Sequence, residues 1–108
     1  MIQFTKEYMV DDVEMRQAYG AELRKMMDKG EPVMALDADL MRAIGLLPYR
    51  EQYPDNIIDC GIAEMNMVGV AAGLSSEGFI PFTHTFGAFA SRRAIDQVFM
   101  SGAYAKMN

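Results

Sequence analysis

The sequence is short of the residue types from which many common sites are built. It contains no tryptophan, one cysteine (Cys60) and one histidine (His84). A single cysteine excludes a disulfide framework within the chain and fits a reducing cytoplasm. Because Ile57, Ile58 and Ile62 lie close to Cys60 in sequence, we expect a buried structural thiol rather than a nucleophile. A lone histidine without zinc-ligand spacing predicts a hydrogen-bonded structural residue.

Basic runs and long hydrophobic runs are also missing. The net charge of -5 and the pI of about 4.7 argue against nucleic acid and against an anionic membrane as partners. No apolar run is long enough to span a bilayer, and the first residues lack the features of a signal peptide. Hydrophobic residues make up 51% of the 108 residues, which predicts one small packed domain. We therefore expect a soluble cytoplasmic protein.

Apolar periodicity and turn residues predict alternating helices and strands. A helix from about 12 to 28 has Asp11 as its cap and Gly30 at its end. Pro81 weakens the third strand, although an edge strand tolerates proline. The other predicted elements are a buried strand at Val33-Met34-Ala35-Leu36, a strand over 56–60, a helix over 62–76, a strand over 79–83, a loop over 84–89 and a helix over 90–104. The apolar positions expected to face the core are Met15, Tyr19, Leu23, Met26 and Met27 in the first helix and Ile95, Val98, Phe99 and Ala103 in the last.

This order predicts an α/β fold with a parallel sheet flanked by helices. Three chemically unusual segments, 37–39, 59–64 and 84–89, follow the three strands. Because ligands of parallel sheets bind beyond the carboxyl ends of the strands, we expect these segments to meet at one rim. Three strands are few for a sheet covered on both sides. We therefore expect the domain to be incomplete at its C-terminus, or to be completed by strands from elsewhere.

Glu64 is the most informative residue of the rim segments. It lies in the first turn of a helix that is otherwise apolar and rich in small residues. A buried carboxylate is costly unless something pairs with it. Three interpretations remain open from the residues alone: an acid that complements the helix dipole, an acid whose partner is supplied by the fold, and an acid that meets a ligand.

Other segments also offer candidate functional residues. Asp37-Ala38-Asp39 after a strand is typical of haloacid-dehalogenase-type phosphatases, whereas a Rossmann site is excluded because no G-x-G-x-x-G is present. Phe86 and Phe89 are either two core aromatics or a platform for a flat ring. Arg92 and Arg93 could pair with surface acids, hold a phosphate or position that platform.

Taken together, these segments resemble a known family. The string DCGIAEMNMVGVAAGLSSEGFIPFTHTFGAFASRRAIDQVF resembles the pyrimidine-binding domain of transketolases, in particular the short C-terminal subunit of split bacterial enzymes. EMRQAYGAEL, VMALDADL, YPDNIIDCGIAE and SGAYAKMN extend the resemblance. It covers residues 12–108 as a partial domain, which leaves 1–11 as an N-terminal extension.

The resemblance implies a thiamine diphosphate site shared between two domains, of which this chain is the pyrimidine-binding one. Glu64 corresponds to the glutamate that hydrogen-bonds a ring nitrogen of the aminopyrimidine. Phe86 and Phe89 correspond to the aromatics that flank the ring, and Arg92 lies beside them. Arg16 corresponds to an arginine that helps to hold the sugar phosphate.

The resemblance also defines what Glu64 must do. Its carboxyl group would share a proton with the ring nitrogen, which requires a desolvated side chain whose pKa is raised by burial. The diphosphate and its Mg²⁺ would be held by the partner domain or subunit, since no Gly-Asp-Gly with a downstream asparagine is present. We therefore expect a homo- or hetero-oligomer, with the 108-residue chain inactive alone.

Three functions follow as alternatives. The first is ketol transfer between sugar phosphates, as in the pentose phosphate pathway. The second is a related thiamine diphosphate enzyme, either deoxyxylulose-phosphate synthase or a dehydrogenase E1 β subunit. The third is a non-catalytic fragment that only associates. Met65 and Ala43 stand where the family usually has a glutamine and often a phosphate-binding serine, which bears on the substrate.

Overall fold

The computed structural model describes residues 10–107, so most of the predicted extension 1–11 lies outside the described residues. No helix in this part of the chain is long and apolar enough to cross a membrane. The elements, in chain order, are α1 (Met15–Asp28), β1 (Val33–Asp37), a 3₁₀ turn (Leu47–Tyr49), β2 (Ile57–Asp59), α2 (Glu64–Ser76), β3 (Ile80–His84), α3 (Gly87–Arg92), α4 (Ile95–Gln97) and a π-helical segment (Val98–Tyr104).

The three strands form one parallel sheet in the order β2-β1-β3. Asp37, the last residue of β1, lies opposite Asp59 of β2 and His84 of β3. The carboxyl ends of all three strands therefore lie side by side. We call this edge, formed by residues 37–39, 59–64 and 84–89, the carboxyl rim. The predicted α/β fold with a parallel sheet is confirmed.

β1 is buried on both faces because a helix covers each side of the sheet. Successive side chains of a strand point to opposite faces. Val33 and Ala35 pack in the cluster that contains Leu23 and Met27 of α1. The predicted helix-sheet-helix layering is confirmed on this side.

The other face of β1 is covered by α2. Met34 and Leu36 pack with Met67 and Ala71 of that helix. A continuous apolar run, instead of an alternating one, is what such two-sided burial requires. The four apolar residues that begin β1 therefore indicate a strand that is covered on both faces.

β3 forms one edge of the described sheet, and Pro81 fits there. The N–H of Ile80 donates to the carbonyl of Pro32, and the carbonyl of His84 accepts from the N–H of Ala38. Ile80 and His84 therefore point their backbone groups towards β1, so Pro81 between them points its own away. A missing N–H at that position breaks no bond within the sheet.

The predicted start of α1 is wrong by one turn. The helix begins at Met15, because Glu14 is extended, with φ -63° and ψ 138°. The Asp11 side chain accepts from the N–H of Val13 at 3.4 Å, ahead of the helix, and does not cap it. Met15 is 88% exposed, so its predicted place in the core is also wrong.

The predicted single helix over 90–104 is wrong as well. The helical backbone begins earlier, at Gly87, breaks around the buried Ala94, and continues as α4 and then as the π-helical segment. Ile95, Val98 and Phe99 are 55%, 42% and 58% exposed. Their predicted burial fails because no described element packs against their outer side, and because the wider π winding changes the phase that the 3.6-residue period assumes.

We predict that Met67→Ala lowers the free energy of unfolding by about 2–5 kcal/mol, because Met67 fills the core between α2 and β1. Its side chain is 1% exposed, whereas Met65 on the same helix is 50% exposed. Met65→Ala is therefore the matched control and should change stability by no more than about 0.5 kcal/mol. Chemical denaturation measures both. Equal losses in the two variants would contradict a core on the α2 side of the sheet.

Candidate functional site

The carboxyl rim is tied together by backbone hydrogen bonds between the segments that follow the strands. The N–H of Cys60 donates to the carbonyl of Asp37 at 2.8 Å, and the N–H of Ala38 donates to the carbonyl of His84 at 3.2 Å. The chain after β1 is thus fixed to both neighbours. The predicted convergence of the three segments is confirmed.

Asp59 adds a side-chain connection at the same place. Its Oδ1 accepts from the N–H of Asp39 at 3.1 Å and from the N–H of Gly61 at 2.9 Å. Gly61 has φ +70°, a backbone conformation that favours glycine. This turn directs the chain from β2 into α2 and places Glu64 at the first position of that helix.

The Glu64 carboxylate is buried and paired with an arginine. Its side chain is 2% exposed, and Nη1 of Arg93 donates to Oε1 at 2.9 Å and to Oε2 at 3.0 Å. The helix-dipole interpretation alone does not explain this burial, because an acid that only complements a dipole stays in water. Glu64 has instead a partner that the fold supplies, the guanidinium group of Arg93.

The pKa of Glu64 lies below its ordinary value in this conformation. The largest cause is its own backbone N–H, which stabilises the carboxylate; burial opposes this, and the hydrogen bond and charge of Arg93 lower the pKa further. The expectation of a raised pKa is therefore wrong for the chain as it stands. Burial supplies the raising effect, but the donors around the carboxylate outweigh it.

Phe86 and Phe89 form an open aromatic pair next to the ion pair. Their ring centroids lie 6.1 Å apart with the planes tilted by 37°. Phe86 is 51% exposed and neither ring belongs to the described core, which favours the platform over two core aromatics. The guanidinium carbon of Arg93 lies 4.1 Å from the centroid of Phe89, which is stacking distance.

Arg93, and not Arg92, is the arginine that contacts these groups. On a helix, residues four apart share a face, and the N–H of Arg93 donates to the carbonyl of Phe89 at 3.0 Å. Arg92 is exposed and lines a shallow cavity of about 370 Å³ with Ala88, Phe89 and Arg93. The spacing from Phe89 could have identified Arg93, had the helix been placed from Gly87.

A small cavity opens beside Glu64. It has a volume of about 250 Å³ and is lined by Ile62, Ala63, Glu64, Met65, Asn66 and Arg93. Apolar side chains (Ile62, Ala63 and Met65) with a carboxylate, an amide and a guanidinium among them, next to an aromatic pair, suit a flat ligand whose edge carries a polar nitrogen.

Arg16 lies elsewhere. Its side chain is exposed and forms an ion pair with Glu14. It lines a separate cavity of about 550 Å³ with Gln17, Arg42, Gly45, Leu47, Pro48 and Tyr49. This cavity shares no residue with the one at Glu64, so the structure does not bring Arg16 and Glu64 together. Arg42, which the sequence did not single out, gives the second cavity two cations.

The structure argues against the phosphatase interpretation of Asp37-Ala38-Asp39. Asp37 is fully buried, and its Oδ2 accepts from the N–H of Leu40. Burial raises the pKa of its carboxyl group, while the Leu40 N–H partly offsets this. A nucleophile with no exposed surface cannot meet a substrate, and residues 10–107 contain no group of three side chains able to hold a metal ion.

His84 is a hydrogen-bonded structural residue, as expected, whereas Cys60 is half-buried instead of buried. Nδ1 of His84 lies 2.9 Å from the carbonyl of Leu36 and donates to it, since a carbonyl can only accept; its Nε2 is then free to accept from the Tyr19 hydroxyl. Burial lowers the pKa of His84, which favours this neutral form. Burial is the largest cause of the raised pKa of the Cys60 thiol, and the neighbouring carboxylates of Asp59 and Asp37 raise it further. A raised pKa suits an inert thiol.

Comparison with known proteins assigns this geometry to a family. The model of the transketolase pyrimidine binding domain matches residues 11–108. The chain is 51% identical over 94 residues to the 6-deoxy-6-sulfo-D-fructose transketolase subunit of Clostridium sp. (strain MSTE9), and 38% identical over 94 residues to a putative transketolase C-terminal section of Methanocaldococcus jannaschii. Each match covers 87% of this chain but only 29% and 30% of the relative.

A solved structure agrees with the sequence matches. The fold is similar to that of a split-gene transketolase, an inactive β4 tetramer, with a TM-score of 0.75 and 40% identity. The similarity covers 86% of this chain and 31% of that one. The chain therefore spans about 30% of the length of these relatives.

We predict that the free energy of unfolding falls as the pH rises through the range of Tyr19. Burial raises the pKa of Tyr19 to about 12, whereas an unfolded tyrosine titrates near 10. The folded state holds this proton more tightly, so the stability that it contributes is present below about pH 10 and is lost between about pH 10 and 12. Tyr19→Phe should make this fall smaller, measured by denaturation at each pH, and the raised pKa values of Tyr53 and Cys60 account for the remainder.

The control is Tyr104→Phe, because Tyr104 is 74% exposed. This variant should keep the alkaline fall in stability. If Tyr19→Phe keeps the whole fall as well, Tyr19 is not the buried hydroxyl that donates to His84.

Proposed function

Because the chain belongs to the transketolase family as a pyrimidine-binding domain, we propose that it supplies the aminopyrimidine half of a thiamine diphosphate site. The complete enzyme would transfer a two-carbon ketol unit between sugar phosphates. The observation that carries the proposal is the buried Glu64 carboxylate at the wall of an open cavity, beside the Phe89 ring.

The residues at the site fit the ring. Glu64 offers a carboxyl group to a ring nitrogen, and Phe86 and Phe89 offer aromatic faces on which a flat ring can stack. When bound, thiamine diphosphate supplies the nucleophilic carbon that carries the ketol unit. The task of Glu64 is to hold a proton at the ring nitrogen and to fix the orientation of the ring.

The electrostatics of Glu64 support this task when Arg93 is taken into account. Arg93 and the backbone N–H keep the pKa of Glu64 low in the present conformation. A ring that replaces the guanidinium at the carboxyl group removes the hydrogen bond and charge of Arg93, which leaves the backbone N–H as the remaining group that lowers the pKa against the effect of burial. The pKa of Glu64 is then higher than in the present conformation, which favours sharing of a proton with the ring nitrogen.

The diphosphate and Mg²⁺ require a second set of residues, and we assign them to a partner domain or subunit. The names of two relatives, a transketolase subunit and a C-terminal section, support a division of the enzyme into separate chains. The similarity to a β4 tetramer supports an oligomer. We propose that the assembled enzyme works in the cytoplasm and that the 108-residue chain is inactive alone.

A sulfonated sugar is a second candidate substrate. The Clostridium relative, at 51% identity, is named for 6-deoxy-6-sulfo-D-fructose. Arg16 and Arg42 line one cavity, and two guanidinium groups suit either a sulfonate or a phosphate. Ala43, which carries no hydroxyl group, lies next to Arg42.

Glu64→Gln should reduce ketol transfer roughly 10²-fold or more when the chain is combined with its diphosphate-binding partner, because an amide cannot share the proton. Glu77→Gln is the control, since Glu77 is an exposed acid at the other end of the same helix. Undiminished activity in Glu64→Gln would sink the proposed role. Pyruvate consumption, instead of cleavage of a ketose phosphate, would point to a synthase.

Arg16→Met should raise the KM for the anionic sugar about tenfold while leaving the affinity for thiamine diphosphate unchanged, because Arg16 lies in the second cavity. Steady-state kinetics with phosphorylated and sulfonated ketoses separate the two substrates. An unchanged KM for both sugars would remove Arg16 from the substrate site. A loss of cofactor affinity would instead place it at the ring.

A further inference from the structure

Arg93 already makes both contacts that the proposed ring needs. Its Nη1 donates to both oxygens of Glu64, at 2.9 and 3.0 Å. Its guanidinium carbon lies 4.1 Å from the centre of the Phe89 ring. A guanidinium and an aminopyrimidine share two features: a flat face that stacks on an aromatic ring, and a nitrogen edge that hydrogen-bonds a carboxyl group. The same two surfaces cannot serve both groups at once.

The environment of Arg93 allows it to leave. Its side chain is 46% exposed, whereas Glu64 is 2% exposed. Within residues 10–107, its guanidinium group hydrogen-bonds Glu64 and stacks on Phe89. The backbone of Arg93 lies just after α3, fixed by its own N–H bond to Phe89. Rotation of the side chain into water therefore needs no change in the helix.

The energetics explain why a stand-in is useful. A carboxylate as buried as Glu64 is costly when it has no partner. Arg93 neutralises that charge and covers the open ring of Phe89. The arginine thereby stabilises the site in the form that a ligand has to enter.

We propose that Arg93 occupies the aminopyrimidine subsite as an internal stand-in and has to swing out when the ring binds. The inference rests on the proposed function, since the ring is the competing ligand. Arg93 is thus a gating residue, and it sets how much of the chain is ready to bind. If the side chain vacates the subsite in about a tenth of the molecules, the apparent affinity is reduced about tenfold.

The test uses the 108-residue chain and the isolated aminopyrimidine ring, as its hydroxymethyl derivative. This probe carries no diphosphate, so its binding contains no attraction between a phosphate and the arginine. Amide NMR shifts of Glu64 and Phe89 report the binding. Arg93→Met should bind the probe about tenfold more tightly than the unchanged chain, because no internal group has to be displaced.

Arg24→Met is the matched control. Arg24 is 49% exposed and forms an ion pair with Asp28 at 3.5 Å, on α1. Its replacement removes a half-exposed paired arginine without touching the rim, and the probe affinity should not change. Arg93→Lys should fall between the unchanged chain and Arg93→Met, because lysine keeps the charge and loses the flat stack.

A second measurement needs no variant. In the unchanged chain, the side-chain NMR signals of Arg93 should move towards those of a solvated arginine as the probe saturates the site. This readout remains valid even if Arg93→Met does not fold. Signals that stay in place while the probe binds would overturn the proposal, and so would equal or weaker binding by a folded Arg93→Met.

The failure of the proposed function would look different. If the double variant Arg93→Met with Glu64→Gln binds the probe as tightly as Arg93→Met does, the ring does not use Glu64, because neither variant has an arginine to displace. If neither the unchanged chain nor Arg93→Met binds the probe, the aminopyrimidine site itself is refuted. Either result counts against the proposed function, whereas the stand-in is judged by the order of affinities among variants that bind.

Discussion

The complete burial of β1 is the constraint on which the rest of the structure depends. All five of its residues are buried, including Asp37 at its end. A strand covered on both faces needs a helix on each side and a partner strand at each edge. The same geometry closes the faces of the sheet to a ligand, and ligands of parallel sheets bind beyond the carboxyl ends of the strands. The position of the site thus follows from how the central strand is covered.

The second determinant is electrostatic. Glu64 lies at the start of α2, where its own backbone N–H favours the ionised form, and in a dry setting that favours the neutral one. While Arg93 is in contact, its hydrogen bond and charge add to the effect of the backbone N–H and favour the ionised form. A protein that needs an ionised acid in the empty state and a proton-sharing acid in the bound state can obtain both from one movable cation. No change in the fold is required, because only the partner of the carboxylate changes.

The sequence predicted the fold well because its strongest signals were local. The continuous run in β1 gave the buried strand, Gly30 gave the end of α1, and the segments after the strands gave the rim. The sequence failed where the phase of a helix decided the answer. With the last helix placed from about residue 90, Phe89 lay outside the helix, so its spacing could not decide which of Arg92 and Arg93 contacts it. In a helix that begins at Gly87, Arg93 lies four residues after Phe89 and stacks on its ring. The π-helical segment was missed because an apolar period of 3.6 residues cannot reveal a wider winding.

The position of Pro81 has a consequence for how molecules of this chain behave towards one another. The open side of β3 is a template on which a strand from another molecule could pair, the usual route to intermolecular β-aggregation. Pro81 and Thr83 are the strand residues whose backbone groups point to that side, and proline contributes no donor. An incoming strand therefore meets an interrupted ladder. Proline in an edge strand is one of the features that limit edge-to-edge pairing in natural sheets.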